Sequence, residues 1–359
     1  MYIPGAVPEL IGRQAIPSNR RQAAKGTDKG GNLNITLAAD FDAAAAPFRH
    51  ELVVHCYRML GSVEDAEDVA QETLIRAWKA RDRYDAERAS LRTWLYRIAT
   101  NACLTALESR PRRPLPSGLG AASDDPYTPL VPDFAVPWLQ PLPETYMRRD
   151  HADPLARAAE RDGVRLALVA AMQFLPPRQR AVLVLRDVLQ FSAAEVAGQL
   201  ETSTAAVNSA LQRARAAIAA AGPQENAVLE PDDRAVRQTI ERYIRAFESA
   251  DVDALVTLLT GDAILEMPPV PLWYAGRVNY GRFIARIFAM RGGGWRMIPA
   301  QANGQPALAA YCPDDTGALR LHTLQVLTVT SGGIARNVVF ADPRVFDAFR
   351  LAKVLEPGR

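Results

Sequence analysis

The sequence predicts a multidomain chain: two all-α domains, then an α+β domain built on a curved antiparallel sheet. Three observations lead there. Apolar residues recur at helical spacing through residues 40–110 and again through 156–222. The stretch between them holds nine prolines from Pro111 to Pro143, which no regular helix survives. From residue 223 onward, helical patterning gives way to short extended runs separated by glycine turns.

Composition bounds what such a chain can be. At 359 residues, 48% hydrophobic and 23% charged, it can build folded cores. The net charge of +2 excludes a histone-like polycation, so any nucleic-acid contact must come from local basic patches. No apolar run approaches the roughly 18–20 residues of a spanning helix, and the N-terminus lacks a signal-peptide core. A cytoplasmic protein without membrane contact is expected. Cys56, Cys103 and Cys312 are far apart, as are His50, His55, His151 and His322. Reduced core thiols, no metal site and no cofactor follow from that scatter.

Residues 1–39 are rich in Gly, Pro, Asn and basic residues and read as a disordered tail. A first helix, about Phe41 to Leu60, carries Leu52, Val53, Cys56, Tyr57 and Leu60 on one side, and Gly61 ends it. Ser62 caps a second, with Asp65 three positions on and Val63, Ala66, Val69, Ala70, Leu74, Ala77 and Trp78 inward. After "RDRYDAERA", Ser90 caps a third, with Leu91, Trp94, Leu95, Ile98, Ala102 and Leu104 inward. Residues 111–155 read as a Pro-rich linker, in which Phe134, Trp138 and Leu139 are apolar enough to dock on a domain. Helices then return at about Pro154–Phe174 and Pro177–Leu189.

"SAAEVAGQLETSTAAVNSALQRARAAI", Ser192 to Ile218, reads as two short helices around a tight turn. Ala197, Glu201 and Val207 stand four and six residues apart, the spacing of a helix-turn-helix. Val207, Leu211, Ala214 and Ile218 form the inward stripe. Thr204, Asn208, Ser209, Gln212 and Arg213 lie opposite, with Arg215 at the flank. Donors and acceptors at the leading end suit base edges, and arginines behind them suit phosphates. The turn normally carries glycine; a left-handed Glu201 costs on the order of 1–2 kcal/mol. Alone, the stretch is either a DNA reader or a structural hairpin with a polar outer face.

Two segments read together decide between these. "DAEDVAQETLIRAWKARDRYDAERASLRTWLYRIATNACL" (65–104) and "LPPRQRAVLVLRDVLQFSAAEVAGQLETSTAAVNSALQRARAAI" (175–218), with a Pro-rich linker between, resemble regions 2 and 4 of the extracytoplasmic-function (ECF) class of bacterial sigma-70 factors. The resemblance implies a transcription initiation factor that binds core RNA polymerase, through the β′ clamp helices and the β flap, and promoter DNA. Asp65, Glu67, Asp68, Gln71 and Glu72 would then face the clamp helices, as a carboxylate row suits a basic surface. Arg88, Ser90, Arg92, Arg97 and Asn101 would engage the −10 element, and the helix-turn-helix face the −35 element. Glu201 in the turn, and Asn208 and Ala210 on the reading helix, depart from the usual pattern.

The final segment, residues 223–359, with "DVDALVTLLTGDAILEMPPVPLWYAGR", "NGQPALAAY" and "ARNVVFADPRVFDAF", resembles the SnoaL-like branch of the NTF2-like fold, a cone of helices closed by a bent sheet. The whole chain is similar to actinobacterial sigma factors of the mycobacterial sigma factor G type, which carry such a domain. That implies regulation in cis, with no separate anti-sigma factor, by a domain packed on region 2 or on "FAVPWLQPLP", with "FADPRVFDAFRL" contributing. The alternative is an NTF2-like enzyme or ligand sensor fused to a DNA-binding regulator. Against catalysis, Met267 stands where an isomerase-like alignment wants Asp. Tyr243, Glu266, Trp273, Phe288 and Trp295 either line a small-molecule pocket or fill the core.

Overall fold

The computed structural model describes residues 41–147, 161–221, 228–231 and 233–355. The predicted N-terminal tail and the start of the helix predicted from Pro154 lie outside them. Pro47 divides the first helix: α1 (Phe41–Ala45) passes through a 3₁₀ turn into α2 (Arg49–Leu60). Gly61 closes α2 with φ +71° and donates its N–H to Tyr57 O at 2.7 Å. A Cβ at Gly61 would stand 2.9 Å from Leu139 Cδ1, so the glycine both turns the chain and admits the linker.

Ser62 Oγ accepts the Asp65 N–H and starts α3 (Val63–Lys79); Ser90 does the same for α4 (Leu91–Ser109) through Thr93 N–H. The three long helices pack through Leu52, Cys56, Tyr57, Met59, Ala66, Ala70, Ala77, Leu95, Ala99 and Cys103. Two expectations shift. Trp78 is 48% exposed, with the Arg81 guanidinium 4.3 Å from its ring. On α4 the fully buried face runs through Leu95, Tyr96, Ala99, Ala102 and Cys103, leaving Trp94, Ile98 and Leu104 half-buried. Helices α2 and α3 both lean on α4, so its buried arc is wider than one stripe.

Residues 110–147 hold only 3₁₀ turns, at Pro116–Gly118 and Glu144–Tyr146. Trp138, Leu139 and Leu142 are buried, whereas Phe134 points outward. The segment doubles back, Leu139 N–H donating to Pro114 O, and Gln140 N–H donating to Gly61 O.

Helices α5 (Leu166–Met172), α6 (Pro177–Leu183), α7 (Ala193–Gln199) and α8 (Thr204–Ala221) form the second helical unit. Pro177 opens α6, and the predicted continuation widens into a π turn over Val184–Val188. Ser192 and Glu195 form a reciprocal capping box at α7. Arg180, 2% exposed, joins the two helical units by donating to Met59 O, Gln173 Oε1 and Gln173 O.

The C-terminal unit runs α9 (Arg234–Glu248), α10 (Val252–Thr257), β1 (Leu259–Glu266), β2 (Trp273–Ala275), α11 (Arg277–Arg291), β3 (Arg296–Ala302), β4 (Gln305–Pro313), β5 (Leu319–Thr330), β6 (Gly333–Phe340), α12 (Pro343–Ala348) and β7 (Val354–Leu355). The sheet order is β2-β1-β6-β5-β4-β3, with β7 on β5. It is mixed rather than purely antiparallel: β1 pairs β6 in parallel because a helix and three hairpin-linked strands intervene. The extended runs predicted from sequence fall on β1 and β3–β6; α11 and the short β2 are additional. Gly281 inside α11 lets α10 approach, since a Cβ there would lie 2.6 Å from Val256.

The sheet has two apolar faces. Leu265, Leu308, Ala310, Leu327 and Val329 pack with α9 and α11 inside the cone. Ala307, Val326 and Val338, a row across three strands, join the same buried cluster as α2, α5, α6 and α12. The C-terminal domain thus lies against both helical units. Among the described residues no helix is long and apolar enough to cross a membrane.

Candidate nucleic-acid and partner surfaces

The α7–α8 pair presents Thr204, Asn208, Ser209, Gln212, Arg213 and Arg215 on one exposed face, with Val207, Leu211 and Ala214 buried behind it. Ser203 Oγ accepts Ala206 N–H at the start of α8. Arg215 is held by both oxygens of Asp187 at 2.8 and 2.7 Å, a bidentate fork that fixes the guanidinium at the flank. Hydrogen bonding to Asp187 raises its pKa further, so it stays charged.

Glu201 adopts φ +51°, the left-handed turn that its position in the motif requires. Its Oε1 accepts from Arg97 Nη2 at 2.8 Å. Arg97 belongs to the set assigned to the −10 element, and Glu201 sits between the helices assigned to the −35 element. The two helical units therefore touch at this point.

The other residues of the −10 set, on α4 and just before it, divide by environment. Arg88 and Asn101 are exposed. Ser90 is exposed, but its hydroxyl already accepts Thr93 N–H as the helix cap. Arg92 is half-buried, donates to Glu51 at 3.1 Å and stacks over Tyr96 and Phe191, the latter on the approach to α7. It serves as a brace between the helical units as much as an outward-facing cation.

The acidic row on α3 also divides. Asp68 and Gln71 are exposed, and Glu72 pairs with Arg76 one turn on. Asp65 is only 16% exposed at its side chain and holds two linker arginines, Arg110 at 2.8 Å and Arg113 at 2.5 Å. Glu67 accepts from Tyr146 OH, also on the linker. Two of the five residues assigned to polymerase contact are engaged by the segment that follows α4, and a third by its own helix.

The five residues grouped as a pocket fall in three places. Phe288 and Trp295 stack edge-on with Phe247, with centroids 5.1–6.2 Å apart. Tyr243 donates to Gln325 Oε1 at 2.8 Å, while Asn337 Nδ2 reaches Tyr280 OH at 2.8 Å and Tyr243 OH at 3.1 Å. Burial pushes both phenols up, so they remain protonated donors. Glu266 and Trp273 lie where the linker crosses the cone. Glu266, fully buried, pairs with Arg336 and accepts Ser117 N–H at 2.9 Å. Trp273 Nε1 donates to Gly120 O at 2.9 Å. Both carboxylate oxygens of Glu266 accept hydrogen bonds from within the chain. A cleft of about 280 Å³ opens elsewhere, between α9 and α10, lined by Arg242, Arg245, Ser249 and Asp251. His322, beside Trp295, has its pKa lowered to about 4 by burial. Among the described residues no three His, Cys, Asp or Glu side chains are placed to hold a metal ion.

Sequence reasoning missed the contacts between units, such as Arg97 with Glu201, 104 residues away, and Tyr57 with Asn303, 246 residues away. The Arg97–Glu201 pair had one visible sign, a glutamate where the turn wants glycine. The double clamp on Asp65 had another, the "RPRRP" cluster at 110–114.

Comparison with known proteins matches residues 47–113 to Sigma-70 region 2, 165–218 to Sigma-70 region 4 and 240–337 to the SnoaL-like domain. The chain is 50% identical over 315 residues to the ECF RNA polymerase sigma factor SigG of Mycobacterium tuberculosis, covering 87% of this chain and 84% of that relative. It is 31% identical over 254 residues to SigJ of the same organism, covering 68% and 72%. The crystal structure of that SigJ superposes with a TM-score of 0.59 at 25% identity, covering 88% of this chain and 99% of that one.

Proposed function

Because the chain belongs to the ECF class of bacterial sigma-70 factors and carries a C-terminal SnoaL-like domain, we propose that it acts as an alternative sigma factor whose activity is regulated in cis by that domain. It binds core RNA polymerase and directs promoter-specific initiation. The exposed residues Asp68, Gln71 and Glu72 of α3 face the polymerase clamp. Arg88, Arg97 and Asn101 contact the −10 element, and Thr204, Asn208, Ser209, Gln212 and Arg213 read the −35 element, with Arg215 on the backbone. Asp65 and Glu67 join the polymerase surface only when the linker leaves them.

The observation that carries a closed state made within the chain is the 2.8 Å contact between Arg97 and Glu201, and the C-terminal domain supports it through the buried cluster it shares with both helical units. The two promoter elements lie about 25 base pairs apart, roughly 85 Å along B-form DNA at about 3.4 Å per base pair. Side chains in contact cannot serve both ends of that span, so this arrangement is a closed state. The chain supplies the closure itself, which favours control without a separate anti-sigma factor. The aromatic packing and hydrogen bonding inside the cone, and the pairing of Glu266 with Arg336, favour a protein-contacting domain over an enzyme.

Run-off transcription with core polymerase and a promoter library tests this. The full-length chain and a chain ending at residue 221 should both initiate at the same promoters, the shorter one more strongly. Identical output under all conditions removes the regulatory reading; failure of both to bind core polymerase removes the sigma reading.

A further inference from the structure

Hairpin tips normally lie in solvent. The β3–β4 tip does not. Asn303 and Gly304 take φ +57° and +64°, the tight left-handed turn that Asn-Gly favours, yet Asn303 is fully buried. A Cβ on Gly304 would stand 2.9 Å from the side chain of Arg161, so the turn fits closely against the segment entering the second helical unit.

Every hydrogen-bonding group of the Asn303 side chain is spent on another part of the molecule. Its Oδ1 accepts Leu142 N–H at 2.7 Å, and its backbone N–H donates to Leu142 O at 2.8 Å. Its Nδ2 donates to Val164 O at 2.6 Å and to Tyr57 OH at 2.8 Å. Tyr57, on α2, donates in turn to Gln140 O at 2.8 Å. One residue therefore bonds the linker, region 2 and the entry to region 4 at once. Gln305, beside it, accepts Leu166 N–H at 2.9 Å at the start of α5, while its Nε2 is steadied by Thr328 Oγ1. A bridge between Pro143 and Ala302 continues the pairing.

This is a recognition surface for an assembled junction. Its three partners come from segments far apart in sequence, and the amide finds all of its partners only where those segments meet. We propose that the Asn303–Gly304–Gln305 turn is the contact through which the C-terminal domain holds regions 2 and 4 together, and that its withdrawal opens the factor. The proposal deepens the reading of regulation in cis and rests on it for its consequence, though not for its geometry.

The test uses full-length protein labelled at Lys79→Cys on α3 and Ala219→Cys on α8, both exposed, the native cysteines being buried. Asn303→Asp keeps the acceptor toward Leu142 and the left-handed turn, but sets a carboxylate oxygen against Val164 O and removes both Nδ2 donations. The ratio of long to short distances, read by pulsed electron spin resonance, should rise roughly tenfold or more, as expected for losing two buried hydrogen bonds. Gln305→Ala should act in the same direction and serves as the deciding variant if Asn303→Asp melts below the assay temperature. Folded variants with the wild-type distance distribution overturn the proposal. Opening without tighter binding of core polymerase leaves the contact standing and defeats regulation in cis instead.

Discussion

Glu201 occupies a backbone conformation that costs a non-glycine residue on the order of 1–2 kcal/mol, and its carboxylate recovers part of that through Arg97. The pair is exposed, so its worth is small: a double-mutant cycle of Arg97→Gln and Glu201→Gln should give a coupling of about 0.2–1 kcal/mol at low salt, fading at high salt. Zero coupling at low salt would show that the contact does not form. The turn's left-handed shape was legible from spacing in the motif, but its partner was not, because nothing local marks a residue 104 positions away. His55 makes the opposite case, a titratable group whose role is structural. It is fully buried against Thr100 at 3.0 Å, and burial, aided by Arg58 and Arg92, lowers its pKa from 6.5 to about 3. The unfolded chain therefore takes up a proton that the folded one refuses. Stability contributed by neutral His55 is complete above pH 6.5 and falls as the pH drops toward 3, by up to about 1.4 kcal/mol per unit. Chemical denaturation between pH 7 and 5 should show this decline in the wild type and a shallower one in His55→Gln, His322 supplying the remainder. A wild-type profile flat over that range contradicts the assignment.

Caps and breaks explain why the helices were readable one by one. Ser62, Ser90 and Ser192 each accept the N–H three residues on, and Gly61 ends its helix in the left-handed region. These are local devices, decided within a turn of chain. Elements whose shape depends on a neighbour were harder to read. Helix α11 carries Gly281 in its interior, which local propensity penalises and only the approach of α10 explains. Trp78 follows the apolar stripe of α3 but lies beyond the edge of its neighbours and rests under Arg81. Gly61 joins both kinds of constraint. Gly61→Ala should cost roughly 1–3 kcal/mol in urea denaturation, from the left-handed φ together with displacement of Leu139. Gly198→Ala, in the interior of α7 with open space around it, should instead stabilise by about 0.5–1 kcal/mol. Equal effects at the two positions would mean that neither the turn nor the linker contact matters.

At the scale of the molecule, the three units that sequence separates are sewn together. One apolar cluster runs from α2 through region 4 to the outer face of the sheet, and the Pro-rich segment threads between them with its backbone bonded to both sides. Tyr274 and Arg286 grip the carbonyls of Asp125, Pro126 and Thr128, so the linker is docked on the cone along much of its length. The sequence called this stretch a linker on its prolines, which is sound for its lack of helix. Proline count says nothing of what the exposed carbonyls bind, and that is where its order comes from. The candidate surfaces were legible in the same uneven way: the exposed polar face of α8 lies where the helical period put it, whereas Asp65, Glu67 and Glu266 proved to be taken by partners from distant sequence. On the proposed reading, the free factor is closed and must open to span a promoter. Its most direct test is the distance between labels on α3 and α8 of the wild-type chain, alone and in the open complex with core polymerase and promoter DNA. The distance should be short in the free protein and longer by several tens of ångströms in the complex, on the order of the promoter span. An unchanged distance would contradict it.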